Sequence, residues 1–394
     1  MKKFIPLFLT AVLSVVLFSQ DQRHEVAVIN IEIPVRVFQG ENFIDNLTIE
    51  DFAVFEDGVL QKVEAVYLIK KKSVAKEEGN QRFFPSVSRN FILMFEIIDY
   101  LPKLGESIDY FFNNILLPGD ELTVFTPVKS YKFNNQSFEM FSKEAIANKL
   151  KETLRSDSII GNSEYRSVLR ELEEVLTMED LDIDEKMSLF RQVLSRFESL
   201  RSVDEEGLIN FAQFLKEKEG QKNVFMFYQK DVVPQLKPRV IEEIVTGNQD
   251  RPDIGQSVTE LFDFSRRDIN INVDNVKKIF SDSSISMHFL YITQPPFQSS
   301  SVSRSGSGQA ITLSDQSENV FSTFQEMAQA TGGFSGSSFY ATETFKKALD
   351  ASENYYLVYY SPLNYKQDGK FKNVKIRVNG KNYRITHRAG YFAD

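Results

Sequence analysis

Side chains able to make and break bonds are scarce in this 394-residue chain. It has no Cys, which excludes thiol nucleophiles, disulfides, iron–sulfur clusters and Cys-type zinc sites. Its three His stand far apart, at 24, 288 and 387, so no spacing supports a His-based metal site or catalytic triad. His288 falls inside an apolar run and reads as a hydrogen-bonded core residue. His387 falls in a tail strand, and His24 stands near the start. Carboxylate pairs such as Glu173-Glu174 fall on a predicted helix and read as a solvated face. The segment 295–319 is rich in Ser, Gly and Gln, including Ser299-Ser300-Ser301 and Arg304-Ser305-Gly306-Ser307-Gly308. It lacks the strand-to-helix context of a phosphate loop and reads as a flexible loop. Nothing here supplies an activated nucleophile.

Charge narrows the partners. Lys and Arg number 46 against 55 Asp and Glu, a formal charge of -9, so there is no basic excess to neutralise nucleic-acid phosphates. Residues 1–19 have a basic start (Lys2, Lys3), an apolar stretch over 4–18 and a small residue at Ser19, the layout of a secretory signal peptide. The stretch is short for a bilayer span. Cleavage after Ser19 would take the charge from -9 to -11, because Lys2 and Lys3 leave with it. The expected location is secreted or periplasmic, with no membrane span after cleavage.

The elements that must position any site read as three parts. In 20–70, Ala27, Ile29, Ile31, Ile33, Val35 and Val37 alternate with polar residues, which predicts a half-buried strand. Asp57-Gly58 between Phe52-Ala53-Val54-Phe55 and Val63-Glu64-Ala65-Val66 predicts a hairpin. Residues 71–89 are polar and read as a linker. Over 90–350, apolar runs at 90–95, 121–125, 223–228 and 286–291 alternate with helical patterns. That predicts an α/β fold with a doubly wound, mostly parallel sheet. A mostly helical insert is expected at about 144–218, with Ile183, Met187, Phe190, Leu194, Phe197 and Leu200 on one stripe. The tail, 351–394, returns to β structure. Tyr355, Tyr356, Tyr359 and Tyr360 alternate across one strand, so half are expected to pack and half to face out. Val374, Ile376 and Val378 form another strand, and Asn379-Gly380 is expected to turn it back on 382–386. Two such strands need a further sheet, and the amino-terminal β unit is the expected partner.

Five motifs in order carry a resemblance. Glu50-Asp51-Phe52-Ala53-Val54-Phe55-Glu56-Asp57-Gly58-Val59-Leu60-Gln61-Lys62-Val63 is similar to the "DFxVxEDGxxQxI" signature of bacterial, acidobacterial-type proteins related to the von Willebrand factor type A (VWFA) superfamily. Leu117-Pro118-Gly119-Asp120-Glu121-Leu122 resembles their "PGDxV", and Met327-Ala328-Gln329-Ala330-Thr331-Gly332-Gly333 their "LAxxTGG". Tyr355-Tyr356-Leu357-Val358-Tyr359-Tyr360-Ser361-Pro362, and then Asp368-Gly369-Lys370-Phe371 with Arg388-Ala389-Gly390-Tyr391-Phe392, resemble their closing strands. The resemblance implies a von Willebrand A domain flanked by β segments from both ends of the mature chain.

The superfamily implies a divalent-ion site at the carboxyl ends of the strands, built on Asp-x-Ser-x-Ser, because a hard cation takes small oxygen ligands at short range. Here Glu96, Ile98 and Tyr100 fill those positions. Ile98 offers no oxygen, and Tyr100 is too large to stand in for a serine. Asp99 and Asp231 are weak candidates, and the later loop reads Gln229-Lys230-Asp231 where an acid is expected. The implied site is degenerate. No cofactor is expected, and Mg²⁺ is the ion a working site would take. The function that follows is an exported, non-enzymatic protein-binding module, with rim loops 96–106, 126–137, 229–238 and 293–319. Metal-dependent adhesion, a hydrolase and a structural envelope component are the alternatives.

Overall fold

In the computed structural model, residues 29–80, 82–229, 232–264, 271–293, 310–315, 318–338, 340–380 and 382–394 are described. The expected signal peptide (1–19), His24, Asp231 and 294–309 of the Ser/Gly-rich loop lie outside them.

The described chain opens on β1 (Ile31–Gln39), β2 (Asn42–Phe43), β3 (Phe52–Glu56), β4 (Val59–Gln61), β5 (Val63–Lys70) and β6 (Ser73–Gly79). Next come β7 (Arg89–Glu96), α1 (Pro102–Tyr110), β8 (Glu121–Phe125) and β9 (Ser130–Phe133). Five helices follow without a strand: α2 (Asn135–Met140), α3 (Lys143–Gly161), α4 (Ser163–Thr177), α5 (Ile183–Arg201) and α6 (Glu205–Lys216). Then run β10 (Gln221–Tyr228), β11 (Val232–Leu236), α7 (Pro238–Gly247), α8 (Pro252–Phe264), α9 (Val273–Asp282) and β12 (Ile285–Ile292). β13 (Ile311–Asp315), α10 (Glu318–Ala330), β14 (Ser335–Ser338) and α11 (Ala341–Glu353) lead to the tail. The tail holds β15 (Asn354–Tyr360), β16 (Phe371–Val378), β17 (Arg384–His387) and β18 (Gly390–Phe392).

Both ends of the described chain build one curled antiparallel half-barrel. Its two layers run β17-β1-β15-β5-β6 and β18-β16-β3-β4. Ile33, Val35 and Val37 of β1 meet Val54 of β3, Tyr356 and Tyr360 of β15 and Ile376 of β16 in their shared core. Period-two apolar spacing places those residues on one face, and the pairing β1–β15 (Ile33↔Val358) sets the register. The hairpin at Asp57-Gly58 takes positive φ at both residues (46° and 84°), as a two-residue turn between β3 and β4 requires.

Everything from β7 to α11 is inserted between β6 and β15. The chain rejoins the half-barrel at Asn354, the start of β15, which lies opposite Lys70 at the end of β5. Its central sheet runs β14-β12-β10-β7-β8-β9. One face packs on α1, α3 and α11 through Phe91, Phe225, Leu104, Leu150 and Phe345. The other packs on α6, α9 and α10 through Val224, Phe289, Ala212, Phe280 and Phe324. Helices α4 and α5 keep a core of their own, where Val168, Leu172, Phe190 and Phe197 meet. Asp182 starts α5 with a capping box, which is why the apolar stripe begins just after it.

Several expectations are corrected. The fold class expected was a doubly wound, mostly parallel sheet. Of the fourteen strand pairings among the described residues, ten are antiparallel and four parallel. The sheet that holds the parallel pairs is mixed, ending in the antiparallel β9. A run apolar on both faces does not by itself mark a parallel strand: β7, β8, β10 and β12 pair parallel with one another, but β15 does not. Tyr355–Tyr360 is such a run, and it pairs antiparallel on both sides, buried between two cores. For the same reason all four of its tyrosines are buried, and none faces out. The supposed linker 71–89 contains β6, a polar edge strand. Asn379-Gly380 does not close a hairpin: β16 pairs with β3 and β18, while β17 crosses to β1. Within the loop expected to be flexible, 311–315 is a strand paired with β11.

Candidate functional site

The carboxyl edge of the central sheet is where the implied ion site would fall. β7 ends at Glu96, and the amide of Gln229, just after β10, donates to the Glu96 carbonyl (2.9 Å). The chain then drives two consecutive isoleucines into different cores. Ile97 enters the core beneath α1 and α11, and Ile98 enters the separate core of α4 and α5. That divergence fixes the loop before any polar contact is counted.

Polar contacts complete it. Gln229 is 2% exposed, and its Oε1 accepts from the amides of Ile98 and Asp99, both at 3.2 Å. Arg166 of α4 reaches across with Nη2 to the Ile98 carbonyl (2.6 Å) and Asp99 Oδ1 (3.1 Å). Its Nη1 donates to the carbonyls of Ser158 (3.2 Å) and Ile159 (2.9 Å) near the end of α3, where cations are favoured. Asn162 Nδ2 donates to the carbonyls of Ile97 and Ser158, each at 2.8 Å. The Tyr100 ring packs on the central core with the Arg155 guanidinium 5.0 Å from its centroid, and burial raises its hydroxyl pKa.

The sequence-predicted positions therefore divide. Glu96, Ile98, Asp99 and Tyr100 do lie along one loop, but they do not converge as ligands. Ile98 is buried among helices, Tyr100 packs sideways, and Asp99 is paired with Arg166. Among the described residues no group of three or more His, Asp or Glu could hold a metal ion. A guanidinium sits beside Asp99, and an amide oxygen, not a carboxylate, occupies Gln229. Sequence reading missed Arg166, which is 67 residues from Asp99 with no motif around it. It also misplaced Glu173, expected on a solvated face. Glu173 is buried, and its carboxylate accepts from the amides of Ala310 (3.1 Å) and Ile311 (2.9 Å), pinning the start of β13.

Beside Glu96, on the sheet face covered by α6 and α10, an apolar cleft of about 380 Å³ opens. Met94, Met226 and Tyr228 line it from the strands. Phe125 and Phe211 meet edge to face across it at 5.5 Å, and Phe324 lies 5.7 Å from Tyr228. The α5–α6 junction contributes Leu200, Ser202, Val203 and Asp204. Asp204 caps α6 by accepting from the Gly207 amide (2.9 Å). A Cβ on Gly207 would fall 2.4 Å from Asp204 Oδ2, so a larger residue there would have to turn the Asp204 carboxylate. Among the described residues that line the cleft, Glu96 and Asp204 are the charged ones, and both are acidic.

The histidines occupy structural positions. His288 is fully buried, stacked on Phe225 at 4.6 Å, with Nδ1 accepting from the Phe334 amide (3.2 Å). His387 Nε2 accepts from the Ile376 amide (3.2 Å), and Nδ1 lies 2.8 Å from the Arg388 carbonyl. Burial lowers the pKa of both. Thr331-Gly332-Gly333 turns the chain from α10 to β14. Gly332 has φ 69°, and a Cβ on Gly333 would fall 1.8 Å from the Met287 carbonyl oxygen.

No described helix is long and apolar enough to cross a membrane. No family model, curated protein or solved structure matches this chain.

Proposed function

We propose that this protein is an exported, non-enzymatic binding module that takes a protein segment in the acidic-rimmed apolar cleft at the carboxyl edge of its central sheet. The observation that carries the reading is the contrast within that edge. The loop after β7 is held by its own chain, through Gln229, Asn162 and Arg166, whereas the cleft next to it presents aromatic and methionine surface, with Glu96 and Asp204 among its described lining residues. Such a site favours an apolar anchor followed by a Lys or Arg. Met lining suits an adaptable fit, because its unbranched chain repacks at low cost. Export rests on the pattern of residues 1–19, and the relation to bacterial VWFA-related proteins rests on the five ordered motifs. Metal-dependent adhesion is the weaker reading, since Asp99 already has Arg166 as its cation.

The test is selection from a displayed random-peptide library on the full chain. Enriched peptides should combine a large apolar residue with a neighbouring Lys or Arg. Phe211→Ala should weaken them by about tenfold or more and Glu96→Gln by about fivefold, the scale of one anchor and one rim charge. Selected peptides that bind both variants as tightly as the unmodified protein would exclude the cleft as the recognition site.

A further inference from the structure

At the opposite, amino edge of the central sheet, the half-barrel is pressed against β10 and β12 through buried polar side chains. Seven buried side-chain nitrogen or oxygen atoms in this seam lack a hydrogen-bond partner among the described residues: Arg36 Nε, Arg89 Nη1, Gln221 Oε1, Asn223 Oδ1, His288 Nε2, Glu353 Oε1 and the Tyr355 hydroxyl. They form one connected group. Arg36 Nη2 donates to Ser286 Oγ (3.1 Å), Nη1 to the Gly332 carbonyl (3.1 Å), and its guanidinium lies 5.7 Å from the Tyr355 ring centroid. Asn223 is the register partner of Ser286, and His288 follows on the same face of β12. Gln221 is the register partner of Arg89, whose Nη1 is 3.8 Å from Glu353 Oε1.

The two ends of the seam differ in charge. Arg89 is matched by Asp120, to which it donates from Nε (3.1 Å) and Nη2 (2.5 Å). Arg36 is 1% exposed, and its partners are a carbonyl, a hydroxyl and an aromatic face, with no carboxylate among them. An unmatched buried guanidinium is among the costliest features a fold can carry. Beside it the unpartnered atoms are one acceptor, Asn223 Oδ1, and two that can donate, on His288 and Tyr355. Because His288 Nδ1 accepts from Phe334, the ring proton stands on Nε2, and the Tyr355 hydroxyl can donate as well. Three donors and one positive charge, walled by Tyr355 and the His288–Phe225 stack, match a small spherical acceptor of charge minus one.

We propose that this seam holds a single halide, chloride under ordinary conditions, between Arg36, His288 and Tyr355, as a buried joint between the half-barrel and the inserted sheet. A crystal of the full chain grown in bromide tests it directly. An anomalous bromide peak in contact with Arg36 Nε and His288 Nε2 is the expected result; ordered water there without anomalous signal overturns the proposal. In solution, the full chain dialysed into sodium gluconate should melt about 2 °C or more below the same protein in sodium chloride of equal ionic strength. Arg36→Met should abolish that difference between the two salts. If Arg36→Met does not fold, the bromide crystal and the salt comparison on the unmodified protein still decide, and equal melting in both salts counts against the halide.

Discussion

The two edges of the central sheet solve opposite problems with the same residue types. At the carboxyl edge, Arg166, Asn162 and the Oε1 of Gln229 are spent on a single loop, and Gln229 Nε2 is the atom of that set left without a hydrogen-bond partner. At the amino edge, Arg36, Arg89, Lys222 and Arg388 are all buried, at 1, 2, 5 and 8% exposure, and polar atoms are left over. Pairing within the chain at one edge leaves apolar surface as what a partner can meet. At the other edge, buried charge holds two bodies of the same chain together.

The largest expected effect lies at the charged edge. Asp120→Asn removes the carboxylate that matches Arg89, and it should cost about 3–5 kcal/mol in urea unfolding, the range for stranding a buried charge. A loss under 1 kcal/mol would show that the seam is not dry. At the carboxyl edge, Arg166→Met should cost about 2 kcal/mol and raise protease cleavage within 97–101, because the Ile98 and Asp99 contacts go together. The same variant should show no Mg²⁺, Mn²⁺ or Ca²⁺ heat in calorimetry, since Ile98 still supplies no oxygen. Micromolar binding would instead mean that Arg166 alone had displaced an ion.

Acid should discriminate the edges next. His288 and His387 are both buried near the charged edge, with folded pKa values below the ordinary 6.5. The unfolded chain therefore binds the extra protons. Stability from these residues is complete above about pH 6.5 and is lost as pH falls below it, by up to about 1.4 kcal/mol per pH unit for each. Urea titrations between pH 7 and 5 should show this slope, and His387→Gln should reduce it. The smallest effect is a control on the surface: Lys103→Ala, which breaks the exposed Lys103–Glu106 pair, should stay within about 0.5 kcal/mol.

How much of this was readable depended on distance along the chain. Local signals carried far: Asp57-Gly58 marks a real turn, and the stripe from Ile183 to Leu200 faces a core. The strand runs were visible, but the mixed sheets were not, because burial on both faces makes the parallel β10 and the antiparallel β15 alike in composition. β6 was hidden by its charges, as exposed edge strands often are. Arg166, Glu173 and Arg36 were illegible for another reason. Their partners are 67, 137 and 250 residues away, and no local pattern distinguishes an arginine that will be buried from one that will not.

The inserted architecture also has a mechanical reading. Both described ends of the chain belong to the half-barrel, while the cleft lies wholly within the stretch between Lys70 and Asn354, whose two ends are held side by side. Tension applied between the ends would pass through the antiparallel pairs of β1 with β15 and β17 and of β16 with β3 and β18. The central sheet would stand outside that load path. A partner gripped at the cleft would stay engaged while the half-barrel bore the strain, much as cargo hangs from a hook whose shank alone is stretched.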